Sequence, residues 1–560
     1  MADEQTVAVS GQADRCRLHA RYRTDHAGGR ARHPTARRAA ELGQGRRAAA
    51  DAQRQVAAHH PPADPADHRA RRAARRAGYF RALPGSAGLN PYGENTLMST
   101  ARFADPDQIR AGFSRAMSQM YKHEVPLYGT LMALVSEVNE QVMNHDSSVL
   151  DSLRQTGEIQ RLDMERHGAI RVGTAQELAT LARLFAVMGM QPVGYYDLSA
   201  AGVPVHSTAF RAVHEQALQV SPFRVFTSLL RLELIESDSL REFAGQVLGK
   251  RSIFTPGALA LIDKHEADGG LSETDAAEFI QQALETFRWH NMATVSLDDY
   301  QKLNTQHRLI ADVVAFRGPH INHLTPRTLD IDAVQAGMPG KGITPKAVVE
   351  GPPRRQCPIL LRQTSFKALE EPIAFMGQGG SQSGSHSARF GEIEQRGAAL
   401  TPKGRELYDR LLNEARDALG EFPNEANALR YAELLENTFE AFPDSHAEMR
   451  RQGLAYFRYF PTESGIAERA SGSLEQLVEA GHVRFEPLVY EDFLPVSAAG
   501  IFQSNLGDNA QAHYATNSNQ QDFEQALGRG TLNELDLYAD TQRRSLEECA
   551  RALELSSPAY

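Results

Sequence analysis

Cysteine, tryptophan and long apolar runs are scarce in these 560 residues, and each shortage excludes something. Cys16, Cys357 and Cys549 are too few and too scattered for a disulfide framework or a zinc knuckle, so the chain reads as cytoplasmic, reduced and held by its core. A membrane-spanning helix needs about 18 or more consecutive apolar residues. The most apolar window, residues 226–235, is broken by Arg231 and Glu233, and no membrane partner is expected. HExxH, GxSxG and CxxC are all missing, which removes local support for zinc-peptidase, α/β-hydrolase and thioredoxin chemistry. The glycine-rich stretch at 377–387 (GQGGSQSGSHS) lacks the Gly-Lys-Ser/Thr of a phosphate cradle and precedes a strand rather than a helix; it reads as a mobile loop between two strands. DKHEADGG at 263–270 is no calcium loop, because His265 and Ala267 stand where oxygen ligands are required.

What is present is a chain 41% apolar and 23% charged, long enough to bury a sizeable core. Its charge is divided unevenly. Residues 1–97 hold 17 Arg, no Lys and nine acids, a net +8, while the remainder carries −18. Pieces such as RARRAARR at 69–76 cannot supply a buried face, so this segment is expected to be disordered. Arginine density of this kind could serve as a nucleic-acid-binding arm. The reading favoured here is an extension upstream of a start at Met98, where ordinary helical sequence begins, and no nucleic-acid partner is expected. Residues 98–560 are then one elaborated domain.

That domain reads as mixed α and β. Asp105-Pro106 opens a helix with Ile109, Phe113, Met117 and Met120 at helical spacing, and Thr174 with Glu177 forms a capping box. Strands are expected at 166–172, 193–196, 209–213, 224–235, 358–368, 390–400, 455–461 and 482–489, with helices between them, giving a sheet decorated by helices.

Three segments mix ligand-type and charged residues in a strand-like context. In RHGAIR (166–171), His167 and Arg171 share a face. In GPHINHLT (318–325), His320 and His323 point to opposite faces of an extended chain, so at most one enters a common site, and either could be an ordinary structural histidine. In RFGEIEQRG (389–397), Glu392, Glu394 and Arg396 share one face, with Ile393 on the other; a solvated, salt-bridged face accounts for this as well as a metal site does. Two histidines and one glutamate could form the facial triad of a non-haem Fe(II) enzyme, which leaves positions open for substrate and O2. Spacing alone does not bring the three segments together.

From about Met98 onward the chain resembles the 2-oxoadipate dioxygenase/decarboxylase family, the D-2-hydroxyglutarate synthases, whose fold is related to the vicinal oxygen chelate superfamily. RHGAIR (166–171), HINHLTPR (320–327), RFGEIEQRGAALT (389–401) and EDFLPVSAAGIFQSNL (491–506) carry the resemblance. It implies an α+β fold with a vicinal-oxygen-chelate-like central sheet, a partly closed barrel, decorated by many helices. It also implies Fe(II) held by His167, His323 and Glu392, Arg171 gripping a substrate carboxylate, and Val496 and Ser497 lining the pocket. Glu392 is preferred over Glu394 because Glu-x-x-Gln-Arg is similar to the strand that supplies the iron carboxylate in hydroxyphenylpyruvate dioxygenases; Glu394 would then support a ligand from behind. The implied reaction takes 2-oxoadipate and O2 to 2-hydroxyglutarate and CO2 in lysine breakdown. Another metal-dependent isomerase or lyase on the same scaffold, or a non-catalytic binding protein, stays open.

Overall fold

The computed structural model describes residues 103–377, 380–494 and 517–555. The expectations for residues 1–97, and for Val496 and Ser497, lie outside the described residues. The described strands are β1 (Arg166–Val172), β2 (Gln191–Asp197), β3 (Val205–Arg211), β4 (Arg224–Leu230), β5 (Met292–Ser296), β6 (His323–Pro326), β7 (Leu361–Ser365), β8 (Glu370–Gly377), β9 (Gly380–Ser387), β10 (Phe390–Arg396), β11 (Phe457–Pro461) and β12 (Val483–Pro487). Seven of them form a curled half-barrel sheet in the order β2-β3-β4-β1-β6-β10-β7. A three-stranded sheet (β5-β8-β9) and the β11-β12 pair stand apart from it.

Side-chain alternation gives the large sheet two buried faces with different tasks. Ile170 and Val172 of β1, Leu324 of β6 and Ile393 of β10 point into a core with Phe113, Leu131, Leu181 and Phe185. Those four come from the helices Pro106–Glu124, Pro126–His145 and Ala175–Val187. The first helix starts as expected, with the Asp105 side chain accepting from the Asp107 N–H and Pro106 in its first position; the third starts on the Thr174–Glu177 capping box. The opposite face carries Ala169, Val205 and Phe226 against Leu303, Val313 and Phe375. The C-terminal helices Pro402–Leu419, Ala428–Phe439 and Glu534–Ala552 enclose a further core with β11 and β12. Among the described residues no helix is long and apolar enough to cross a membrane.

The sequence placed most of these elements but misjudged some limits. The strand expected over 224–235 stops at Leu230, because Arg231 turns back to donate its N–H to the Pro204 carbonyl and a short 3-10 turn, Leu232–Leu234, follows. The glycine-rich stretch is not a loop. Its residues 380–387 form β9, paired along β8 with Ile373 opposite Gly384. Gly384 is there for packing, since a Cβ would stand 2.7 Å from the Phe375 ring.

Candidate metal centre and substrate cleft

Strand register decides which side chains meet. β1 and β6 run antiparallel with Ala169 opposite His323, while β6 and β10 run parallel with His323 opposite Phe390. Residues two apart share a face, so His167, His323 and Glu392 converge from three adjacent strands. Their ligand atoms all lie within 4.8 Å of one another. His323 Nε2 is 3.5 Å and His167 Nε2 is 3.8 Å from the Glu392 carboxylate. Gly168 permits the close approach of β1 and β6: a Cβ there would stand 2.5 Å from Ile321 and 3.1 Å from the His323 carbonyl oxygen.

All three side chains are fully buried. His167 Nε2, both ring nitrogens of His323 and Glu392 Oε2 have no hydrogen-bond partner among the described residues. Orphaned polar atoms in a protein interior cost about 1–3 kcal/mol each unless something compensates them. Burial pushes both histidines below their ordinary range, His323 far below it. Burial, reinforced by the neighbouring Glu394 charge, pushes Glu392 well above the carboxylate range. Two neutral imidazoles and a carboxylate short of compensation form a donor set that a divalent cation satisfies. The residues present fit a metal.

Behind this set lies a buried ionic lattice. Glu394 Oε2 is 2.9 Å from His167 Nδ1, while Arg396 grips the same carboxylate through two 2.8 Å hydrogen bonds and Arg224 donates to it at 3.4 Å. Burial raises the Glu394 pKa, but Arg396, His167 and Arg224 outweigh it and hold the group well below the usual carboxylate range. Arg224, opposite His167 in the β1–β4 register, also pairs with Glu165 and Glu491, and Arg161 pairs with Glu491. The solvated face that periodicity allowed for Glu392, Glu394 and Arg396 is therefore corrected: all three are buried, because β6 and β7 flank β10 and Phe493 covers His167 at 4.9 Å between ring centroids.

Arg171 lies on the same face of β1, two residues beyond Ala169, and lines a small cleft with Arg308, Asp312, Lys346, Ser365, Phe366, His386 and Phe390. Ser365 is opposite Glu392 across β7–β10, and the Phe390 ring packs on His323, so the cleft adjoins the buried triad. Arg171 Nη1 donates to Asp312 at 2.7 Å. Asp312 also contacts His386 Nε2 at 2.9 Å and His320 Nε2 at 3.3 Å, and Tyr300 bonds His386 Nδ1 at 2.8 Å. Asp312, His320 and His386 thus make a second group with metal-type donors, in which His320 turns away from the His323 set. Sequence reasoning missed Asp312 and His386. The former lies within an apolar helix, Arg308–Val314, and the latter in the stretch taken for a loop.

The family profile described as 2-oxoadipate dioxygenase/decarboxylase matches residues 113–505. The chain belongs to this family. A 2-oxoadipate dioxygenase/decarboxylase of Pseudomonas putida is 69% identical over 459 residues, covering 81% of this chain and 99% of the relative. A relative of the same name in Escherichia coli K12 is 56% identical over 447 residues, 79% of this chain and 98% of its own length. Among solved structures, the hydroxyglutarate synthase of Pseudomonas putida in complex with 2-oxoadipate superposes with a TM-score of 0.76 at 67% identity, over 81% of this chain and 99% of that one. Family membership and the buried donor set thus rest on independent observations.

Proposed function

We propose that this chain is a cytoplasmic, non-haem Fe(II)-dependent dioxygenase/decarboxylase that converts 2-oxoadipate and O2 to 2-hydroxyglutarate and CO2 in lysine breakdown. The observation that carries the reading is the convergence of His167, His323 and Glu392 with four of their ligand-type atoms unpartnered inside the protein. Its substrate follows from the names borne by the relatives and from the basic cleft beside the triad. In this reading residues 98–560 form the catalytic domain, Val496 and Ser497 border the substrate, and residues 1–97 contribute nothing to turnover.

His167, His323 and Glu392 would hold the iron, which when bound supplies the redox chemistry that joins O2 to a 2-oxo acid. Glu394 fixes the orientation of the His167 ring through Nδ1, leaving Nε2 to face the centre. Phe390 and Phe493 pack on the two imidazoles and keep water from them. Arg171 offers a planar, permanently charged fork, already steered by Asp312, to a substrate carboxylate. Loading the full chain with Fe(II) anaerobically and following O2 uptake tests the reading. Uptake with 2-oxoadipate exceeding that with 2-oxoglutarate, and abolished in His167→Ala, is the expected result. Metal-dependent turnover without O2 consumption would instead indicate an isomerase or lyase. A chain starting at Met98 is expected to keep full uptake.

A further inference from the structure

One cation lining the cleft beside the triad is set apart from the others by its lack of a side-chain partner. Arg171, Arg308 and Lys346 line it, and Asp312 is the single acid among the lining residues. That acid is already engaged by Arg171, His386 and His320. Arg308 and Asp312 lie one turn apart on the helix Arg308–Val314, the spacing at which an arginine and an aspartate ordinarily pair. Here they do not. Arg308 makes no hydrogen bond or ion pair with any described residue. Its charge is felt nearby: burial and Arg171 lower the Arg308 pKa, and burial with Arg308 lowers that of Lys346. The neighbouring His307 is pushed down to about 4 by burial, Arg308 and Arg171.

Resting on the 2-oxo acid reading above, we propose that Arg308 is the specificity-determining residue for a dicarboxylate, receiving together with Arg171 the carboxylate farthest from the keto group. A substrate whose keto acid end reaches the triad must send its other end along the cleft that Arg171 and Arg308 line. A second carboxylate there supplies the counter-charge that Asp312, spent on Arg171, cannot give. A methyl group in its place leaves the Arg308 guanidinium without a counter-charge, since Asp312 is engaged by Arg171. Discrimination between a dicarboxylic and a monocarboxylic 2-oxo acid then comes from the cleft and not from the metal.

The test measures binding rather than turnover. Fe(II)-loaded wild type, Arg308→Gln and Arg308→Lys are titrated anaerobically by calorimetry with 2-oxoadipate and with 2-oxohexanoate, which has the same chain length but ends in a methyl group. Arg308→Gln is expected to weaken 2-oxoadipate between about 10- and 100-fold, the span of a hydrogen bond to a charged partner. Binding of 2-oxohexanoate should stay within about twofold, and Arg308→Lys should recover part of the loss. Unchanged 2-oxoadipate binding in Arg308→Gln, or equal weakening of both acids, overturns the proposal. Wild-type protein that binds neither acid would bring down the substrate reading itself, an outcome distinct from wild-type binding that ignores Arg308.

Discussion

His167, His323 and Glu392, and Asp312, His320 and His386, are two buried sets of two histidines and one carboxylate with ligand atoms at similar separations. In the first set the imidazole nitrogens of His323, Nε2 of His167 and Oε2 of Glu392 have no hydrogen-bond partner. In the second, Asp312 is spoken for by Arg171 and His386, His386 by Tyr300, and Asn322 reaches His320 Nε2 at 3.2 Å. Residue type and spacing therefore do not distinguish a metal centre from a hydrogen-bonded hub. What distinguishes them is whether the lone pairs are already used. The first set has donors left over that a cation would satisfy, whereas the donors of the second are engaged with Arg171, Tyr300 and Asn322.

The largest expected effect breaks the two apart. His167→Ala and Glu392→Gln should abolish both O2 uptake and metal retention after dialysis, while His320→Ala and His386→Ala retain one iron per chain; iron loss from the latter pair would make the second set a metal site as well. Acid stability probes a histidine outside both sets. Burial pushes His206 down to about 4, so the unfolded chain binds the extra proton between pH 6.5 and 4, and stability is lost as pH falls through that window. At pH 4 this loss is worth about 3 kcal/mol. His206→Asn should flatten that acid limb in denaturant titrations without changing iron content.

Asp312→Asn sharpens the role of the hub. KM for 2-oxoadipate should rise about 10- to 100-fold, the worth of a charge-assisted hydrogen bond, with iron content unchanged and kcat affected less. Glu394→Gln gives the complementary result. Its iron affinity, read by chelator competition, should drop about 10- to 100-fold as the His167 ring loses its anchor, while KM moves little.

Much of the first set was legible and little of the second. RHGAIR and RFGEIEQR read as strands, and both formed, β1 over the expected residues and β10 ending at Arg396 rather than at 400. Their family resemblance, not their spacing, singled out the candidate ligands, and β6 lies between β1 and β10 in the sheet. Asp312 could not be read, because ADVVAF is simply the apolar side of a short helix and its partner Arg171 lies on a strand 141 residues earlier. His386 was hidden by its neighbours. Glycine and serine signal a loop in isolation, but pairing with β8 and the Phe375 ring over Gly384 override that tendency. Arg224 sits in a run of strand formers, and only the β1–β4 register reveals that it faces His167.

The ionic lattice behind His167 also governs the order in which the protein can be built. All three triad residues have been synthesised once Glu392 is added, yet Arg224 and Arg161 wait for Glu491, and Arg396 waits for the Tyr490 and Asp492 carbonyls that accept from its Nη1. At about 5–20 residues per second, the intervening hundred or so residues take roughly 5–20 s to synthesise. During that interval the nascent chain holds a nearly complete donor set on strands whose buried arginines are still short of counter-charge. The centre is thus finished late, by the C-terminal segment, and a ribosome-stalled chain ending before residue 491 should not present a settled pocket to any cation.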